Sequence, residues 1–210
     1  MARDGVLYSP STGSFSMDNY DTGTTPGWVS GLTTPAVDGY SFANSYQFGL
    51  GCTFKLTDVP NSAEFTGLFN EYRIDRIAMR VSVVSCGPTD PTAACMASAY
   101  VAWDPNDGVA PPDTESMQQR DTTTLVDFLQ GKPLTLLASP RPAQAIYSSA
   151  LATSYGYSTR NNIWLDCTAP SNETPHYGLK FYFRNFVSFL NSGYALRFQP
   201  TYYMSFRRTR

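Results

Sequence analysis

The stretch YQFGLGCTFKLT, residues 46–57, alternates apolar side chains with polar or small ones over its whole length. The apolar set consists of Tyr46, Phe48, Leu50, Cys52, Phe54 and Leu56. Because successive side chains of a β-strand point to opposite faces of a sheet, this alternation predicts a strand with one buried face. It is the clearest local signal in the chain, and it indicates β-structure.

Further strands are predicted where the alternation, or a short apolar run, returns. These stretches are residues 73–84, 97–103, 134–138, 163–167, 179–184 and 196–207. Residues 145–153 are compatible with a strand or with another conformation. Pro200 places part of the last strand at an edge or a bulge, because proline has no N–H to donate to a neighbouring strand.

Two short helices are predicted in the connections between these strands. Asn61 offers a helix start, and Phe65, Leu68, Phe69 and Tyr72 follow at helical spacing. The second helix is predicted over residues 122–130, with Gly131 as its cap. About eight strands without a crossover helix between each pair predict an all-β fold, an eight-stranded antiparallel jelly-roll sandwich with two short helices in its loops.

The chain divides into two parts by composition. Residues 1–45 are rich in Ser, Thr, Gly, Asp and Tyr, contain three prolines and show no sustained periodicity. They predict an extended or partly disordered N-terminal arm. Residues 46–210 are long enough for one jelly-roll domain with a sizeable core.

Charged residues are scarce and unevenly distributed. They make up 15% of the chain, against a usual share of roughly 25%. So low a charge suggests that much of the outside is covered by other copies of the chain. Residues 1–130 carry a net charge of −9 and residues 131–210 one of +7. This asymmetry permits complementarity between subunits or a surface that faces a polyanion, or it reflects uneven strand alternation alone.

The sequence offers little for catalysis. His176 is the one histidine, and no G-x-S-x-G motif accompanies it. No carboxylate pair stands out, so we expect no enzyme and no catalytic residue. We also expect no cofactor, because no glycine-rich phosphate-binding motif is present. No stretch reaches the ~18 apolar residues of a membrane span, and the first residues lack a signal-peptide core.

Metal sites are not predicted either. The four cysteines show no C-x-x-C spacing, which argues against zinc. A Cys86–Cys95 disulfide is compatible with the intervening loop, but buried free thiols are favoured. The run DPNDG at residues 104–108 departs from a calcium loop and favours an Asx-rich turn.

Basic side chains in the second half are the candidates for binding nucleic acid. These are Arg184, Arg197, Arg207, Arg208 and Arg210. Arginines with neighbouring aromatic residues could bind phosphates and stack on unpaired bases. The alternative is that they pair with acidic residues of a neighbouring subunit.

Several segments resemble the capsid proteins of circoviruses and related circular single-stranded DNA viruses. FNEYRIDRI (residues 69–77) resembles the F-x-x-Y-R-I-x-x-V start of the third jelly-roll strand, and AYVAWDPND (residues 99–107) a strand ending in an acidic turn. Trp164, PHYGLK (residues 175–180) and YYMSFR (residues 202–207) are similar to the last three strands. Their order and spacing carry the resemblance over residues 46–207.

The resemblance implies a coat protein whose two four-stranded sheets face each other. Sixty copies of it would self-assemble into a small icosahedral T=1 shell enclosing a single-stranded DNA genome. The protein would be a virion component, made in the host cell and imported into the nucleus. A host-cell receptor or glycan would be a further partner. The alternatives are a jelly-roll module that binds carbohydrate or a receptor, and the capsid protein of a small RNA virus.

One departure from the family concerns the genome. These capsid proteins usually begin with an arginine-rich arm, whereas residues 1–45 here contain one arginine, Arg3. Either the chain is truncated or processed, or other basic residues hold the genome, or packaging is weak.

Overall fold

The computed structural model describes residues 5–10, 13–16, 29–32, 36–37, 45–85, 96–129, 132–148, 153–157, 163–187 and 195–209. Their strands, in chain order, are β1 (Gly5–Pro10), β2 (Gly13–Ser16), β3 (Val29–Leu32), β4 (Ala36–Val37), β5 (Ser45–Phe54), β6 (Phe69–Ser85), β7 (Met96–Trp103), β8 (Thr124–Leu129), β9 (Leu134–Ala138), β10 (Arg141–Ser148), β11 (Thr153–Tyr157), β12 (Leu165–Asp166), β13 (His176–Val187) and β14 (Ala195–Thr209). Two helices, α1 (Ser62–Leu68) and α2 (Thr114–Gln118), and two 3₁₀ turns at Leu56–Asp58 and Ser171–Glu173 lie between them.

The strands form two antiparallel sheets. In the first sheet β14 and β6 lie at the centre, β1 and β2 pair with the far side of β14, and β9 and β12 pair with β6. In the second sheet β13 lies between β5 and β7, and β8 pairs with β7. The short strands β3 and β4 lie beside β5, while β10 and β11 extend from the start of β13.

The core lies between the two sheets and is rich in aromatic rings. Phe48 of β5 stacks on Phe183 of β13 with ring centroids 4.6 Å apart. Phe198 of β14 contacts both Phe181 and Phe183 edge to face, so the last strand of the first sheet packs against β13 of the second sheet. Such offset and edge-to-face pairs add to the free energy gained by burying the rings.

The predicted antiparallel all-β sandwich is confirmed. Each stretch expected from alternation contains a strand, although the first strand ends at Phe54, before the 3₁₀ turn. Of residues 145–153, the described ones fall on the end of β10 and the start of β11. Pro200 pairs with Met79 and lies between the parts of β14 that pair with β1 and with β2, where no N–H is required. The described residues form fourteen strand segments rather than eight, because short strands flank the long ones.

The second predicted helix is wrong in position. Residues 124–129 form strand β8, with Val126 and Phe128 turned to the core and Leu125 and Asp127 turned outward. Pairing with β7 therefore overrides the weak helical signal there. The helix lies earlier, where the side chain of Asp113 accepts a hydrogen bond from the Ser116 N–H and caps α2. Gln130 and Gly131 lie outside the described residues.

Parts of the predicted N-terminal arm pair with the sheets. Strands β1 and β2 pair with β14, and β3 and β4 pair with β5. The division at residue 45 stays a prediction. Cys86 and Cys95 lie outside the described residues, so the expectation that they are free thiols rather than a disulfide stays a prediction, whereas Cys52 and Cys167 are buried free thiols. No helix within the described residues is long and apolar enough to cross a membrane.

Candidate functional site

Arginines collect on the outward side of the first sheet. Inward side chains of β6 and β14 fill the core, so the residues between them point away from it. We call this outward surface the basic face; it consists of Arg73, Arg76, Arg80, Arg207 and Arg208 with the rings of Trp164 and Tyr203.

A β-bulge in β6 increases the number of charged side chains on the basic face. Ile74 pairs with Met204 and Arg76 with Tyr203, so Asp75 is an extra residue opposite β14. Because a bulge sets two residues against one, Asp75 and Arg76 both lie on the outward side. Asp75 accepts hydrogen bonds from Arg73 Nε and Ser205 Oγ, each at 2.5 Å, which fixes the bulge to β14.

Aromatic rings hold three of the arginines. The guanidinium carbons of Arg73 and Arg207 lie 4.7 Å and 4.2 Å from the centroid of the Trp164 ring. Arg76 lies over the Tyr203 ring at 4.6 Å. Cation–π contacts of this kind restrict the side chains, so less conformational entropy is lost when their N–H groups bind a ligand.

The basic face keeps an excess of positive charge. Glu71 accepts hydrogen bonds from Arg207 and, at 2.8 Å, from Arg208. Arg76 and Arg80 are exposed, and neither has an ion pair with any residue of the described part of the chain. Two guanidinium groups are therefore uncompensated at the middle of the face.

The structure does not bring the five predicted arginines together. Arg207 and Arg208 lie on the basic face, whereas Arg184 lies on the outward side of the second sheet, beside Tyr100. The backbone of Arg197 pairs with Ser82 and Ser14 in the first sheet, and its side chain is not described. Arg210 lies outside the described residues. The contribution of all five to binding stays a prediction.

Sequence reasoning missed Arg73, Arg76, Arg80 and the rings that hold two of them. In a regular strand, residues an odd number of positions apart lie on opposite faces. Arg73 and Arg76 are three residues apart, so they share a face only because of the bulge at Asp75. Trp164 lies near Arg73 and Arg207 because β12 pairs with β6, and no local sequence pattern predicts that pairing.

The outward side of the second sheet is closed by residues 104–120, which we call the cover. Lys180 of β13 is 1% exposed, and its ammonium group lies 2.9 Å from Asp104 Oδ2 and 2.5 Å from Asp107 Oδ1. Asp104 also pairs with Arg120. Burial lowers the pKa of Lys180, and the hydrogen bond that Lys180 donates to Asp107 opposes that shift.

The backbone of the cover lies directly against two glycines of β5. A Cβ atom at Gly49 would lie 2.0 Å from the carbonyl oxygen of Pro111, and one at Gly51 would lie 2.1 Å from that of Gly108. Only glycine fits at such distances. The surface of this side is acidic, because Asp113, Glu115, Asp121 and Asp127 are exposed on or beside the cover.

The remaining predicted positions have structural surroundings. His176 is buried, and its Nδ1 lies 3.0 Å from the carbonyl oxygen of Thr174; burial lowers the pKa of His176 to about 4. Asp104 and Asp107 accept hydrogen bonds from the N–H groups two residues ahead, those of Asn106 and Val109. These are the Asx turns that residues 104–108 predicted.

A comparison with models of known protein families identifies the family of this chain. A family model described as "Circovirus capsid protein" matches residues 18–210. The chain belongs to the circovirus capsid protein family. It is a structural coat protein that forms a virus shell and is a component of the virion. The match favours this function over a carbohydrate-binding module or a small RNA virus capsid protein.

Solved structures show the same fold. The coat protein is similar to the BFDV capsid protein crystallised as a 60-mer, with a TM-score of 0.56 and 16% identity over 98% of this chain and 94% of that one. The decameric BFDV capsid protein gives a TM-score of 0.51 and 15% identity over 98% of this chain and 100% of that one. These likenesses confirm the predicted jelly roll. A comparison with curated protein sequences finds no match.

Proposed function

We propose that sixty copies of the coat protein close an icosahedral T=1 shell around a single-stranded DNA genome, with the basic face directed inward. Membership of the circovirus capsid protein family supports the shell and the genome type. The observation that carries the orientation is the row of exposed, uncompensated arginines on the first sheet.

The chemistry of the basic face suits phosphate groups. A polynucleotide presents regularly spaced negative charges, and basic side chains that neutralise them release condensed counterions. Guanidinium groups match phosphate oxygens through paired N–H donors. Because Trp164 and Tyr203 already lie against guanidinium groups, we assign these rings to positioning arginines rather than to stacking on bases.

The opposite side of the sandwich supports the same orientation. Exposed carboxylates on and beside the cover would repel a polyanion, and its lysine is buried within ion pairs. A shell with the first sheet inside places phosphates against arginines and leaves the acidic side away from them. The reverse orientation places like charges together.

The test compares two pairs of charge-removing substitutions in the full chain. Arg76→Gln with Arg80→Gln removes the two uncompensated arginines, and Lys55→Gln with Arg141→Gln removes the same charge from the second sheet, away from the basic face. We expect both variants to form particles, and the arginine variant alone to retain less nucleic acid, measured by the ratio of absorbance at nucleic-acid and protein wavelengths.

A second measurement ties the loss to phosphate contacts. Binding of a labelled oligothymidylate at increasing salt should give a shallower dependence for the arginine variant, by about 0.7 in log–log slope for each lost phosphate contact. Equal nucleic-acid content and equal slopes in both variants would contradict the inward orientation.

The proposal also covers catalysis, nuclear import and binding to the host cell. We propose a structural role without catalysis, supported by the family and by the burial of His176. We also propose import into the nucleus, where a single-stranded DNA genome of this type would be met. A host-cell receptor or glycan as a partner stays a prediction.

A further inference from the structure

The edge of the second sheet near β8 carries an uncovered patch. Two neighbouring rows of residues cross strands β13, β7 and β8 there. One row is Tyr182, Tyr100 and Leu125, and the next is Arg184, Ser98 and Asp127. All six lie on the outward side, because Phe181, Phe183, Ala99 and Phe128 occupy the core positions between them.

The cover protects one end of the first row and leaves the other end open. Tyr182 is 5% exposed and packs with the buried Met117 of α2. Tyr100 is half-buried, and Leu125 is 54% exposed. Within the described residues β8 pairs with β7 alone, so its other edge has no strand beside it. A large apolar side chain thus lies at an open sheet edge.

Arg184 in the neighbouring row lacks a carboxylate. Its guanidinium donates to the Tyr100 hydroxyl at 3.1 Å and lies 5.6 Å from the Tyr100 ring. Its Nε is buried without a hydrogen-bond partner, and no ion pair joins it to another described residue. Asp127, in the same row, accepts instead from Ser98 Oγ at 2.6 Å. An unpaired buried donor is unfavourable unless a further group reaches it.

The same chain exposes carboxylates that have no cation. Glu115 and Asp121 lie exposed on and beside the cover, and neither forms an ion pair within the described part of the chain. A second copy of the chain therefore supplies what the patch lacks: an acidic surface for Arg184. Tyrosine and arginine, the residue types of Tyr100 and Arg184, are also enriched among the residues that dominate binding between proteins.

We propose that Tyr100, Leu125 and Arg184 form a contact surface for a second copy of the chain, in which Leu125 is buried and Arg184 meets a carboxylate of the neighbour. This inference rests on the proposed shell, since it names one of the surfaces through which the copies meet. It assigns Arg184 to a protein contact rather than to the genome.

The experiment uses Leu125→Glu and, as matched control, Leu125→Met in the full chain. Both changes are at an exposed position, so thermal unfolding of the subunit should stay the same. Gel filtration and negative-stain microscopy should show particles for the parent and for Leu125→Met, and subunits or small oligomers for Leu125→Glu. Equal particle yield from Leu125→Glu and Leu125→Met would overturn the proposal.

A second variant separates this proposal from the proposed function. Arg184→Gln should lower particle yield, while the particles that do form retain as much nucleic acid per subunit as the parent. A normal particle yield with less nucleic acid per subunit would assign Arg184 to genome binding and overturn the proposal. If the parent chain itself forms no particles, the proposed shell fails, which is a different result from failure of one variant.

Discussion

The two outward sides of the sandwich are built on the same strand alternation and differ in what lies on top of them. On the first sheet the outward arginines remain open to solvent, held by Trp164 and Tyr203. On the second sheet the outward Lys180 is sealed beneath the cover by two aspartates. A basic residue at an outward position can thus be a ligand-binding group or a structural fastener.

The difference lies in the neighbours rather than in the basic residues themselves. The Lys180 ammonium group lies within 3 Å of the carboxylates of Asp104 and Asp107, so its charge is neutralised within the chain. Arg76 and Arg80 have none, so their charge is available to a ligand. This contrast predicts that removing Lys180 harms folding, whereas removing arginines of the basic face harms binding.

The largest effect is expected for Lys180→Ala. It leaves the buried Asp104 with Arg120 as its one remaining cation among the described residues, and breaking a buried pair in this way destabilises proteins by about 3 kcal/mol or more. Chemical denaturation should show this loss. Lys55→Ala, a half-buried lysine outside the network, serves as control. Equal losses in the two variants would remove the distinction between the sealed and the open side.

A smaller effect is expected for Gly49→Ala, which tests whether the cover is seated on β5. The new methyl group meets the Pro111 carbonyl oxygen and forces the cover outward, at a cost of about 1–3 kcal/mol. Gly67→Ala is the matched control, because a Cβ there meets nothing within 4 Å and Gly67 lies in α1. Unfolding midpoints should fall for Gly49→Ala and hold or rise for Gly67→Ala. No fall at Gly49 would show that the cover is loosely placed.

The fold could be predicted from the sequence because a half-buried strand produces a local pattern, the alternation of apolar and polar side chains. Residues 46–57 and 196–207 alternate cleanly; residues 46–54 lie in β5 and residues 196–207 in β14, both long strands that face the core. Residues 124–129 were harder to predict, since so short a segment gave no dominant period and pairing with β7 decided its conformation. The strands β1 and β2 lie in a region with no sustained alternation, so nothing local announced them.

The candidate site was predicted only in part, for geometric reasons. Arg207 and Arg208 were recognised because they close the chain beside a clear strand. Their separation from Arg184 depends on which sheet each strand enters, and the addition of Arg76 depends on the bulge at Asp75. Both are properties of strand pairing over long sequence distances, which single-sequence patterns do not contain.

The smallest effect is expected for Trp164→Leu, and it tests how the basic face works. Without the ring, Arg73 and Arg207 keep their charges and lose contacts each worth about 0.5–1 kcal/mol. Affinity for a labelled oligothymidylate should therefore fall by about five- to thirtyfold, which corresponds to the two contacts together. Its salt dependence should stay equal to the parent's, because the number of phosphate contacts is the same. Arg76→Gln with Arg80→Gln is the comparison, since it lowers both affinity and slope. If Trp164→Leu reduces the slope as well, the ring does more than position arginines, and if affinity is unchanged, the arginines of the open side need no support to bind.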